Sequence, residues 1–64
     1  MEDYQDRLIT EKVELSEKLE LLKLFLRSHR INDVTAIDHA RMQYQALLMS
    51  EYRSVLDIRI KAFI

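Results

Sequence analysis

The sequence has no glycine, no proline and no cysteine. Glycine and proline make most tight turns, bulges and phosphate-cradling loops, so their absence excludes Gly-rich nucleotide loops and leaves helix as the natural state. The lack of cysteine excludes disulfides, zinc ribbons and thiol chemistry. No run approaches about 18 uninterrupted apolar residues, so no transmembrane helix is expected. Neither sign of charge dominates: the net charge is −1. A near-neutral chain has no general attraction to DNA, RNA or an anionic membrane. The opening residues are acidic where a signal peptide would be basic. Together these absences predict a protein of the cytoplasm.

Hydrophobic residues make up 48% and charged residues 33%, a balance that favours a folded helical chain over disorder. Residues 1–64 make a single domain. The first helical pattern runs from about Glu2 to Arg27. Leu8, Leu15 and Leu22 recur every seven residues, and Tyr4, Leu19, Phe25 and Leu26 lie three or four positions from them. Ile9, Val13, Leu21 and Leu24 widen this face. Acidic residues open the helix and Lys23 and Arg27 close it, as the helix dipole prefers. Asp3 with Arg7, and Glu14 with Lys18, are favourable i,i+4 pairs.

Ser28–Val34 breaks the pattern, with Asn32 and Asp33 supplying turn chemistry. Thr35 followed by Asp38 resembles a capping box. The second helix then spans about Ala36 to Phe63. Its stripe is read as Ile37, Ala40, Tyr44, Leu47, Leu48, Tyr52, Val55, Leu56 and Ile60. A break this short folds two helices, each roughly 40 Å long, into an antiparallel pair. The fold class is therefore all-α: an antiparallel helical hairpin. A chain of this length cannot complete a core alone, and both helices carry apolar residues outside one seam. A homo-oligomer follows as the expected state.

Catalytic chemistry has little to stand on. No nucleophile elbow or His-Glu-x-x-His motif is present, and no catalytic residue, metal ligand set or cofactor is assigned. His29 and His39 are lone histidines on either side of the break. Glu14, Glu17 and Glu20 read as a solvated helix face, and Met42 and Met49 as core filler. The arginines and lysines are interleaved with acids, unlike the concentrated basic footprint of a DNA-binding protein.

Three residues form a candidate ligand site. Tyr4 is an aromatic with a polar tip near a helix end, and Arg7 lies one turn away on the same face. Lys18 sits between Leu15 and Leu22 and is read as an interruption of the apolar stripe. An aromatic can stack on a base, and a lysine or arginine can neutralise a phosphate. The plainer account makes Tyr4 a terminal packing residue and lays the Lys18 stem over Leu22, paired with Glu14.

The stretch from Tyr4 to Leu19, with Tyr4-x-x-Arg7-Leu8 and Glu14-Leu15-x-x-Lys18-Leu19 ahead of Leu22-x-x-Phe25, resembles the opening helix of the phage anti-CBASS sponge proteins, whose relatives occur in crAss-like phages. The stretch Met49-x-x-Tyr52 through Arg59-Ile60 resembles that family's closing helix. The resemblance covers about two thirds of the chain; Ser28–Tyr44 shows little to match. It implies an all-helical homohexamer that sequesters cyclic dinucleotides, such as cyclic GMP-AMP, without cleaving them. It further implies that Tyr4 stacks on a base and Lys18 reaches the phosphates, with Arg7 or Lys23 as alternative cations. Some members also bind cyclic trinucleotides at a separate pocket involving an arginine, for which Arg53 and Arg59 are candidates. The alternative function is a structural or adaptor coiled-coil module that binds a protein partner.

Overall fold

The computed structural model describes residues 3–64. Helix α1 spans Tyr4–Leu26 and helix α2 spans Ala36–Lys61, with a short 3-10 helix, His29–Asp33, between them. No strand occurs among the described residues. Glu2, the expected start of the first helix, lies outside them.

Each boundary has a local cause. The Asp3 carboxylate accepts the Asp6 N–H at 2.9 Å and caps α1, satisfying a donor that the first turn leaves free. Thr35 caps α2 in the same way, its hydroxyl oxygen accepting the Asp38 N–H at 3.1 Å. The turn is made without glycine, and no described residue has a positive φ. Ser28 (ψ 165°) and Val34 (ψ 156°) swing the chain into extended backbone on either side of the 3-10 helix. Ser28 also donates its hydroxyl to the Phe25 carbonyl at 2.8 Å, occupying one of the orphan acceptors at the end of α1. The Arg30 guanidinium lies 5.7 Å from the Phe25 ring centroid and ties the turn back to α1.

The helices pack antiparallel. Tyr4 meets Phe63 at one end, and Lys12 pairs with Asp57 one layer further in. On α1 the inward positions follow an alternating three-and-four spacing: Leu8, Lys12, Leu15, Leu19, Leu22 and Leu26. Leu19 and Leu56 are 0% exposed, and Leu8 and Ile60 are buried with them. Leu15 and Phe63 pack against the Leu8–Leu56–Ile60 cluster.

On α2 the inward face differs from the expected stripe. The half-buried or buried positions at heptad spacing are His39, Met42, Ala46, Met49, Arg53, Leu56 and Ile60, with Ser50 and Asp57 half-buried beside them. Of the stripe read from sequence, only Leu56 and Ile60 point inward; Ile37, Ala40, Tyr44, Leu47, Leu48, Tyr52 and Val55 are exposed. Both sets recur at the heptad period, so periodicity alone could not choose between them. The rotation of α2, set by the turn and the Thr35 cap, places the less apolar set inside.

Two further expectations change. Lys18 is exposed and does not interrupt the seam; the inward residue between Leu15 and Leu22 is Leu19. The lysine that does occupy the seam is Lys12. Neither Asp3 with Arg7 nor Glu14 with Lys18 forms an ion pair; among the described residues the ion pair is Lys12–Asp57.

The result is a rod of 43 × 19 × 15 Å with an accessible surface of 5165 Å². A compact monomer of 7.7 kDa exposes about 4,300 Å² by the usual size scaling. The excess is of the order of the roughly 800 Å² that one partner contributes to a standard protein interface.

Candidate functional site

The three candidate residues lie on one long edge of the hairpin. Tyr4 opens α1, where the Asp3 cap fixes the first turn. Its ring meets Phe63 edge-on, with centroids 6.2 Å apart and planes at 79°. Tyr4 nevertheless remains 58% exposed, so Phe63 steadies the ring and leaves it accessible to a stacking partner. The packing role and the stacking role are therefore compatible. Arg7 is exposed one turn further along the same edge.

Lys18 lies fourteen residues from Tyr4 on that edge, about 21 Å along the axis at about 1.5 Å per residue. The fold thus brings Tyr4 and Arg7 together and holds Lys18 far from both. One chain cannot apply Tyr4 and Lys18 to opposite ends of one small ligand. Lys23, the alternative lysine, lies further still along α1 and is half-buried.

The edge continues onto α2. The Tyr52 hydroxyl donates to the Glu11 carboxylate. This bond raises the Tyr52 hydroxyl above its ordinary pKa, because ionising it would lose the donor and face a carboxylate. Arg59 acts on Tyr52 in the opposite direction, as a cation nearby must. Tyr4, Arg7, Glu11, Tyr52 and Arg59 therefore share one edge: two aromatics, two guanidiniums with no ion pair among the described residues, and one carboxylate already engaged. Sequence reasoning could not see this grouping, because it depends on the rotation of α2.

The opposite edge carries Lys12, Asp57, Arg53 and Lys61. The hydrogen bond from Lys12 holds the Asp57 carboxyl below its usual range; desolvation, the next largest influence, opposes it, and the charges of Lys12, Lys61 and Arg53 reinforce the lowering. Lys12 had no assigned role, although its place between Leu8 and Leu15 at heptad spacing was a visible signal. Arg53 and Arg59, the two candidates for a second pocket, fall on different edges.

The described residues enclose no pocket, and no group of three potential metal ligands converges among them. His29 is exposed in the 3-10 turn, and His39 is half-buried at the start of the α2 seam. No helix among the described residues is long and apolar enough to cross a membrane. The surface offers aromatic faces, exposed guanidiniums and apolar area, which suit binding to a flat, anionic or apolar partner.

No curated protein and no solved structure matches the chain. Residues 2–62 match the family described as Sequestin. That match takes in both helices and the turn, and hence every residue of the Tyr4–Arg59 edge. The chain belongs to the Sequestin family, a name that denotes sequestration.

Proposed function

We propose that this protein is a phage anti-defence sponge that binds cyclic dinucleotide messengers of CBASS immunity, such as cyclic GMP-AMP, and holds them uncleaved. The observation that carries the proposal is the exposed aromatic–guanidinium edge of Tyr4, Arg7 and Arg59 on a chain of the Sequestin family. Tyr4 stacks on a base, at about 1–3 kcal/mol per stacked base. Arg7 and Arg59 flank the phosphates, and Lys18 of a neighbouring copy completes the site. The distance from Tyr4 to Lys18 along one helix supports a site shared between protomers. A two-fold arrangement would present the same groups twice to a two-fold symmetric dianion.

The proposed assembly is a homo-oligomer, with a hexamer favoured by the sequence resemblance, acting in the host cytoplasm. Cyclic trinucleotides are the candidate second ligand class, with Arg53 on the opposite edge as the cation. The reaction class is none: the chain binds and releases its ligand unchanged.

Calorimetry with a panel of cyclic di- and trinucleotides tests the reading. Submicromolar binding of at least one cyclic dinucleotide is expected, and heat denaturation of the complex should return it intact by chromatography. Absence of binding across the panel, or appearance of linear product in proportion to protein, overturns it. One observation favours the adaptor alternative: the exposed apolar face of α2 resembles a coiled-coil surface. An adaptor would bind no member of the panel and would tolerate loss of Tyr4 and Arg7.

A further inference from the structure

Helix α2 carries two heptad seams on opposite sides. The inner one packs on α1. The outer one runs Ile37, Ala40, Tyr44, Leu47, Glu51 and Ser54, then continues to Ile58, and every one of these residues is exposed. Ile37 and Ile58 are 66% and 69% exposed, values unusual for isoleucine on a structured helix. Spacing of three and four is what one helix needs to seat its side chains between those of another.

We propose that the outer seam of α2 pairs antiparallel with the same seam of a second copy, in the register that sets Ala40 against the partner's Glu51. The proposal rests on the self-association assumed above and names its surface. Three observations select it.

The occupant is a second helix of this kind because the seam is itself a coiled-coil half. The surface the rod exposes beyond a compact monomer matches one partner's share of a standard interface.

The direction follows from charge. Glu51 is the sole side chain charged at neutral pH among the seven outer-seam residues. Parallel pairing would set the two Glu51 carboxylates opposite each other in one layer. An antiparallel register one heptad longer, with Leu47 against the partner's Glu51, would also crowd them in adjacent layers. Like charges so placed are repulsive.

The chosen register separates the two Glu51 side chains by eleven residues, about 16 Å at about 1.5 Å per residue. It faces each with the smallest residue of the seam, Ala40, beside the exposed Arg41 guanidinium. It also places Tyr44 against the partner's Leu47 at the two-fold axis, so the largest apolar groups meet at the centre. The interface is isologous: the contact is made twice by one surface.

The chain lacks cysteine, so single cysteines report the register directly. Ala40→Cys and Glu51→Cys variants would be prepared separately, then unfolded together, refolded as a mixture and mildly oxidised. The expected product is a disulfide-linked pair containing one chain of each variant, with neither variant linking to itself. Disulfides need Cα atoms within about 7 Å, which only this register provides for residues 40 and 51. Self-linking of Glu51→Cys would indicate parallel pairing and would overturn the proposal. So would a mixture that stays unlinked with both thiols reactive.

Charge exchange gives a second readout that no cysteine perturbs. Arg41→Glu and Glu51→Arg should each raise the dimer dissociation constant about tenfold or more, and the double swap should restore it. Two single variants that assemble normally would overturn the proposal. Nucleotide binding, measured on the same variants at concentrations where they remain assembled, is expected to be unchanged. The interface can therefore fail without the sponge reading failing.

Discussion

The outward faces of the two helices differ in kind. Behind its seam α1 shows Asp3, Asp6, Glu14, Glu17 and Glu20, interleaved with the exposed Ile9, Val13, Leu21 and Leu24. Behind its own seam α2 shows Ile37, Tyr44, Leu47, Val55 and Ile58, with Glu51 the charged exception. An acidic face is at home in water, and a heptad of large apolar residues is not. On α1 the outward face suits water, whereas the outward face of α2 suits the helix partner proposed above. The two roles divide accordingly: α1 supplies Tyr4 and Arg7 to the candidate ligand edge, and α2 supplies the proposed assembly surface.

The sharpest break of this comparison lies within α2 itself. Leu56→Ala empties a fully buried seam position and should cost about 2–5 kcal/mol of hairpin stability. Leu47→Ala removes a similar side chain from the outer seam. It should leave the helicity of the dilute chain unchanged while weakening association. Urea unfolding followed by circular dichroism, set beside sedimentation, separates the two. Equal losses of helicity in dilute solution would mean that the two seams have been assigned to the wrong roles.

Comparison of α1 with α2 gives the next largest effect. Leu47→Glu places a charge in the outer seam of α2 and should raise the dissociation constant of the oligomer about 100-fold, or roughly 2.7 kcal/mol. Leu21→Glu adds one more carboxylate to an already acidic α1 face and should change it little. Sedimentation velocity over a concentration series is the measurement. If Leu21→Glu dissociates the oligomer and Leu47→Glu does not, α1 is the assembly helix.

The ligand edge is tested on α1. Tyr4→Ala should lose about 1–3 kcal/mol of cyclic dinucleotide affinity through the stack, and Lys18→Ala about 1.5–3 kcal/mol through a charge-assisted contact. Lys18→Ala touches no buried group and should leave the melting temperature unchanged. Tyr4→Ala also removes the contact with Phe63, so a small drop in melting temperature is expected with it. A drop in melting temperature without loss of affinity would reduce Tyr4 to a packing residue.

Much of the fold was legible in the sequence, and the reasons mark where legibility ended. Helix class, the position of the break and the Thr35–Asp38 cap each rest on a few neighbouring residues. The α1 seam was legible because Leu8, Leu15 and Leu22 stand out against a polar background. The α2 seam was not, because two heptad sets share that helix and the more apolar set faces outward. Hydrophobicity therefore pointed to the wrong one. Lys18 was misread because Leu19, already on the apolar face, is the inward residue between Leu15 and Leu22, so Lys18 beside it interrupts nothing. The Tyr4–Phe63 contact and the Tyr52–Glu11 bond join residues far apart in sequence, and only the antiparallel register reveals them.

The smallest expected effect contrasts the two edges. The folded chain holds the Asp57 carboxyl below its unfolded pKa, through the bond from Lys12. That contribution to stability is complete above the unfolded value, near about 3.9, and is lost as pH falls through the lower folded value. On the other edge the Tyr52 hydroxyl is raised by its bond to Glu11. Its contribution is complete below the unfolded value, near about 10, and is lost as pH rises through the higher folded value. Asp57→Asn should therefore destabilise the hairpin slightly at neutral pH, with the difference from the parent closing in acid. Tyr52→Phe should do the same with the difference closing in alkali. Both groups reach solvent, the Asp57 side chain at 41% and Tyr52 at 44%, so water and salt screen the effects and both should shrink at high ionic strength. Melting curves across pH at two salt concentrations measure this. If the Asp57→Asn difference persists unchanged below the carboxylate range, the residue acts through packing in the seam, and the contrast between the edges is steric in origin.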